Sequence, residues 1–210
     1  MNYLLWALLG YIVLKPKQVE AASSIQTINP IFTDRYDSLF RNHCSSIPVP
    51  FLRALAKNES DFNIEETDGP AWGLLQVVES VREGYNKRFK TAYTREDLLQ
   101  PVVNAKIACE LITRISNTLV KNHPGIMPAK NWRDPDFVSI VLFGWNAGYS
   151  EAAGVGYVLG NMTKRATIDS VLETAKRLPK ASRFLKMDEK VRWCKKVTSD
   201  YFTQITRGVG

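Results

Sequence analysis

Apolar residues recur at helical spacing through most of the chain. Phe51, Leu52, Leu55 and Ala56 follow Pro50, a residue that suits a first helical turn, and predict a helix ending near Glu59. Asp68, Gly69 and Pro70 predict a turn, after which Leu74, Leu75, Val78 and Val81 predict a second amphipathic helix running toward Phe89. Pro101 opens a third, whose apolar positions Val102, Ala105, Ala108, Cys109, Ile112, Ile115 and Leu119 keep a period near 3.6. His123, Pro124 and Gly125 close it. After a loop from Gly125 to Arg133, Phe137, Ile140, Val141 and Trp145 predict the next helix, and Gly144, Gly148, Gly154 and Gly156 loosen the chain beyond it. Two further helices are expected at about 167–177 and 188–206. No stretch sustains the alternation of a strand, and no internal repeat is visible, so the expected fold class is all-α.

The amino-terminal region reads differently. Tyr3 to Leu14 is an uncharged apolar run followed by Lys15, Pro16 and Lys17. At about 1.5 Å per residue it is short for a bilayer of roughly 30 Å, and no Lys or Arg precedes it. It fits a cleaved export signal, a retained membrane segment or a buried core helix. From Ser23 to about Pro48 no period is sustained, which predicts a linker or loosely ordered lead-in. The division read from these patterns is a hydrophobic leader (1–22), a linker (23–44), a main domain (45–163) and a basic helical C-terminal extension (164–210).

Composition narrows the class. A chain of 210 residues with 45% hydrophobic and 23% charged residues is a folded globular protein, neither collagen-like nor disordered. The net charge of +7 is uneven: residues 1–163 carry 16 basic and 16 acidic residues, residues 164–210 carry 12 and 5. The excess lies entirely in the C-terminal segment, which reads as a solvated helix face or a surface for polyanions, with no motif for nucleic-acid readout. Cys44, Cys109 and Cys194 allow one disulfide at most, and the sequence leaves the pairing open. Cys109, inside an apolar stripe, reads as a small buried hydrophobe.

Four short pieces carry the candidate chemistry. Glu59, in Glu59-Ser60-Asp61-Phe62, follows an apolar helix; taken alone a Glu at a helix end reads as solvent-facing, but a carboxyl partly desolvated there holds its proton near neutral pH, as a general acid requires. Gln76, in Gly73-Leu74-Leu75-Gln76, sits among apolar residues where its amide needs partners. Pro101-Val102-Val103-Asn104 is the third piece. The fourth runs from Gly144 to Tyr149, where Trp145 offers a stacking face for a sugar ring and Asn146 and Tyr149 offer polar groups. His43 and His123 fit no nucleophilic triad, and Gly154 to Gly156 lack the Lys and Ser/Thr of a phosphate loop.

Taken in order, ESDF, GLLQ, PVVN and WNAG make the chain, over about residues 45 to 160, resemble the soluble lytic transglycosylases with their goose-type lysozyme-like domain. The departures are Leu75 for the family's usual Met and Trp145 for its usual Tyr, the latter removing a phenol hydroxyl that in the family lies close to the acid. The resemblance implies cleavage of the MurNAc-β-1,4-GlcNAc bond of peptidoglycan, without metal or organic cofactor, leaving 1,6-anhydroMurNAc ends. It implies Glu59 as the catalytic residue and Ser60, Gln76, Trp145, Asn146 and Tyr149 as substrate-binding, Ser60 also supporting the acid and Tyr149 lying at the groove rim or packing in the core.

A hydrolytic muramidase would need a second carboxylate about 5 to 10 Å from the first. Asp61, Asp68 and Asp97 are candidates, each reading first as a surface or turn residue. A wall-binding module that no longer cuts is the other alternative. The partner expected is peptidoglycan glycan, with a membrane through residues 3–14 and an envelope-spanning or virion assembly through the basic segment as further expectations, and nucleic acid disfavoured. The expected place of action is the cell envelope, in a bacterial, secretion or phage-particle setting.

Overall fold

The structure, a computed structural model, describes residues 33–152, 154–178 and 186–207. The apolar run 3–14 and the first part of the expected lead-in, 23–32, lie outside the described residues. Within them, no helix is long and apolar enough to cross a membrane.

Eight α-helices build the described part: α1 (Asp37–His43), α2 (Val49–Glu59), α3 (Glu79–Phe89), α4 (Pro101–Asn122), α5 (Pro135–Ala147), α6 (Val155–Gly160), α7 (Ile168–Arg177) and α8 (Met187–Thr206). The helical fold class expected from periodicity is the one observed. A short 3-10 turn, Glu96–Leu99, precedes α4.

Three differences from the sequence reading have local causes. First, residues 37–43 are helical rather than part of a linker. Phe40 is fully buried and Tyr36 nearly so, and Arg53 of α2 donates through Nε to Asp37 at 2.6 Å and also through Nη2. One buried ion pair and one aromatic anchor hold a helix too short to show a period. Second, residues 74–78 are not helical. Two-residue strands β1 (Thr67–Asp68), β2 (Ala71–Trp72) and β3 (Val77–Val78) form an antiparallel sheet in the order β1-β2-β3. Gly69, at φ +59°, makes the tight turn between the first two. Positive φ at Gly73 and Gln76 then keeps the apolar run off a helix until Glu79.

The third difference concerns the C-terminal segment, which is packed into the domain rather than appended to it. Helix α8 lies against α2 and α5, burying Val191, Cys194, Val197 and Tyr201. Tyr201 packs edge-on to Phe51, and its hydroxyl donates to the Trp132 carbonyl at 2.9 Å. Ser139 and Thr198 share a buried hydrogen bond of 2.9 Å between α5 and α8, and Gln204 donates to the Pro50 carbonyl at the start of α2.

Helix α4 crosses α5 closely enough that a β-carbon at Gly144 would stand 2.9 Å from Ile115 Cγ2, so a glycine serves the packing there. A Cys44–Cys109 disulfide ties the residue after α1 to the middle of α4, across 65 residues. Cys109 is thus a cross-link rather than a simple buried hydrophobe. Cys194 is a buried free thiol.

Candidate active site

Helix α2 delivers Glu59 as its last residue. The chain then reverses through Asp61 and Phe62, both in left-handed backbone conformation, and Phe62 stacks on Tyr36. Glu59 retains partial exposure as a residue, yet its carboxyl is surrounded closely enough that desolvation pushes its pKa up to about 7. Two smaller effects pull the other way: a hydrogen bond from Trp145, and the positive charge of Lys190. Trp145 Nε1 donates to Glu59 Oε1 at 2.6 Å. The indole N–H is thus a donor aimed at the carboxyl.

The loop 72–76 is held by residues of the other two motifs. Ser60 Oγ donates to the Leu74 carbonyl at 2.8 Å and to the Ala56 carbonyl at 3.3 Å, so its hydroxyl braces the loop against the end of α2. Asn104, fully buried at the start of α4, accepts from the Leu75 N–H at 2.8 Å and donates to the carbonyls of Trp72 and Leu98. A β-carbon at Gly73 would lie 2.2 Å from the Leu98 carbonyl oxygen, and φ there is +77°. This explains Gly73 and Asn104 together: the side-chain amide fits only because position 73 has no side chain. Gln76 donates to the carbonyls of Gly73 and Glu66, so its amide nitrogen is spent on fixing the loop.

Helix α5 carries Trp145 and Asn146 to its C-terminal end, where Gly148 at φ +80° leaves the helix. Asn146 accepts two hydrogen bonds from Lys190 of α8, at Oδ1 (2.8 Å) and at its backbone carbonyl (3.2 Å). Tyr149 stands in a neighbouring polar cluster. Its hydroxyl donates to Glu151 and lies 3.1 Å from His123 Nε2, while Asn122 also donates to Glu151 at 2.8 Å. Burial, then the Glu151 carboxylate, pushes the Tyr149 hydroxyl well above its ordinary pKa. Tyr149 therefore braces the loop after α5, and His123 has a defined structural role.

The structure thus brings Glu59, Trp145, Asn146 and Lys190 together, and links Ser60 and Gln76 to them through the loop 72–76. Two of the alternative carboxylates are engaged elsewhere: the exposed Asp61 with Lys57, and Asp97 with Thr94 and Gln100. The third, Asp68, lies in β1 beside the Gly69 turn. Sequence reasoning missed Lys190. One signal was present, since Met187, Lys190, Val191, Cys194 and Val197 form one stripe and a lysine interrupts it. Among the described residues, no cluster of His, Cys, Asp and Glu suited to a metal ion occurs.

The Transglycosylase SLT domain family matches residues 41–165, more than half of the chain. The chain belongs to that family. The SLT segment ends before α7 and α8, so Lys190 comes from outside it. Among solved structures, the chain is similar to the 70 kDa soluble lytic transglycosylase SLT70 from Escherichia coli, with 20% identity and a TM-score of 0.60 over 84% of this chain. That likeness speaks for the fold. The chain spans 25% of the SLT70 chain. No curated protein matches the sequence.

Many bases of the 164–210 segment are already paired: Arg165 with Asp134, Lys176 with Asp188 and Glu173, Lys186 with Glu189, Lys195 with Asp169, and Lys196 with Asp200. These paired bases lie on the segment's exposed side, while its buried side packs into the domain.

Proposed function

We propose that this SLT-domain chain is a peptidoglycan lytic transglycosylase in which Glu59 alone handles the proton. The supporting observation is the Glu59 carboxyl, pushed up to about 7 by desolvation and held by the Trp145 N–H. An acid of that strength is substantially protonated near neutral pH and can protonate the glycosidic oxygen as it leaves. The resulting carboxylate is stabilised where it forms by the indole N–H and by the Lys190 charge. It then removes the proton of the muramoyl 6-hydroxyl, which attacks the anomeric carbon and closes a 1,6-anhydro ring. The bond lost is C1 to the bridge oxygen, the bond gained is C1 to O6, and the proton returns to Glu59.

The half-buried Trp145, which donates to the acid, and Asn146 beside it at the end of α5 act as saccharide contacts. Ser60 and Gln76 act by fixing the loop, since their donors are already used within the protein. The activity serves local opening of the wall at the cell envelope. The apolar run 3–14 is the segment that would bring the enzyme to a membrane, and the exposed bases of the C-terminal segment are those that would meet an envelope or virion assembly.

Digestion of purified sacculi tests the reading: 1,6-anhydromuropeptides should appear by mass spectrometry. Reducing ends alone would indicate a muramidase, and binding without release a non-cutting wall-binding module. Glu59→Gln should lower the rate by roughly 10² to 10⁴-fold while the protein remains folded; unchanged turnover would reject the assignment.

A further inference from the structure

Lys190 is 9% exposed and lies on the buried, mostly apolar face of α8. A buried ammonium is costly and needs partners. It donates to two oxygens of one residue, Asn146, on a different helix. An ammonium only donates. It therefore obliges Asn146 to turn its side-chain oxygen toward α8, which leaves the amide nitrogen facing away from Lys190. That nitrogen has no protein acceptor among the described residues, so it is the group left to meet a sugar oxygen. The same ammonium lies close enough to Glu59 to favour its carboxylate form.

We infer that Lys190 is a positioning residue for the wall-cutting reaction, orienting the Asn146 amide toward saccharide and supplying the cation beside the Glu59 carboxylate. The inference rests on the reading of Glu59 as the acid. It makes α8, outside the matched SLT segment, part of the working site. The titratable groups around the pair are Glu59 on α2, Cys194 and Glu189 on α8, and Lys186 just before it; from α5 come the neutral Trp145 and Asn146. Burial lowers the Lys190 pKa, and the Cys194, Glu189 and Glu59 side chains oppose that lowering.

The test uses the full chain and sacculi, with Lys190→Gln, Lys190→Arg and the exposed Lys195→Met as control. Lys190→Gln keeps an N–H donor for Asn146 and removes the charge. It should lower kcat about 10-fold or more with little change in KM. The alkaline limb of its pH profile should move to higher pH, because the carboxylate loses a nearby cation. Lys190→Arg should return the limb toward that of the parent, and Lys195→Met should match the parent. A folded Lys190→Gln with an unmoved limb and normal kcat overturns the inference. Failure of both Lys190 variants to fold also overturns it, assigning the residue to structure alone. Glu59→Gln separates the two ideas: if it stays active, the acid reading fails, whereas an inactive Glu59→Gln beside an unaltered Lys190→Gln removes only the role of Lys190.

Discussion

Trp145 and Glu59, 86 positions apart, meet through one hydrogen bond of 2.6 Å from the indole N–H to a carboxylate oxygen. An indole nitrogen donates and never accepts, so this contact favours the ionised acid, whereas the desolvation around it favours the protonated one. The carboxyl is poised between the two near pH 7. A donor in this position stabilises the charge that appears once the proton has left.

Removing that donor should therefore move the acid upward. In Trp145→Phe the alkaline limb of the pH–rate profile is expected at higher pH than in the parent, with activity reduced about 10-fold or more. Trp145→Tyr offers an O–H donor in its place and should retain more activity than Trp145→Phe. Sacculus digestion from about pH 5 to 9 measures both.

The acid also costs stability at high pH. Its folded pKa, about 7, exceeds the ordinary 4.5, so the folded state holds a proton that the unfolded state has released between those values. Stability is greatest below pH 4.5 as far as this group is concerned, and is lost as pH rises through 7, by at most about 3 kcal/mol. Glu59→Gln should accordingly raise Tm relative to the parent at about pH 8 and leave it nearly unchanged at about pH 4. Thermal denaturation monitored by circular dichroism decides this; equal differences at both pH values would argue against the buried-acid description.

Asn104 holds three backbone groups of the 72–76 and 98 segments. Asn104→Ala leaves them buried without partners and should cost about 2 to 4 kcal/mol in a denaturant titration. Gly73→Ala should cost a comparable amount, because both the positive φ and the Leu98 carbonyl oppose a side chain. Both variants should also lose activity, since the loop carrying Gln76 is set by these contacts.

The cross-link between Cys44 and Cys109 closes a long loop, and its reduction is expected to lower stability by roughly 2 to 4 kcal/mol. A thiol count distinguishes the cysteines. One reactive thiol per chain should appear under denaturing, non-reducing conditions and none in the native state, since Cys194 is buried and burial pushes its thiol pKa up.

Much of this was legible before folding was considered. Pro101 and the apolar period behind it marked α4, and Phe51, Leu52 and Leu55 marked α2, because a helix records its buried face every three to four residues. Glu59 was legible as the candidate acid through the resemblance its ESDF motif carries, since the end of an apolar helix face by itself also suits a solvent-facing carboxylate. The 37–43 helix was not, since seven residues anchored by Asp37–Arg53 and Phe40 are too few to display a period. Nor was the sheet at 67–78: its strands are two residues long, and Leu74 and Leu75 are apolar because a loop is buried there.

The amino-acid sequence by itself determined the helical class and the order of the four motifs, because these are written in local spacing and local residue identity, and through the resemblance of those motifs it pointed to Glu59 as candidate acid. Tertiary packing alone decided that Trp145 donates to Glu59, that Cys44 joins Cys109 and that a lysine of the basic segment reaches Asn146. Local periodicity says which face of a helix is buried; which distant face it meets depends on how helices such as α2, α5 and α8 close on one another. The proton-holding property of the site arises from that closure, through the water it excludes, while the two donors it brings in favour the carboxylate left once the proton has gone.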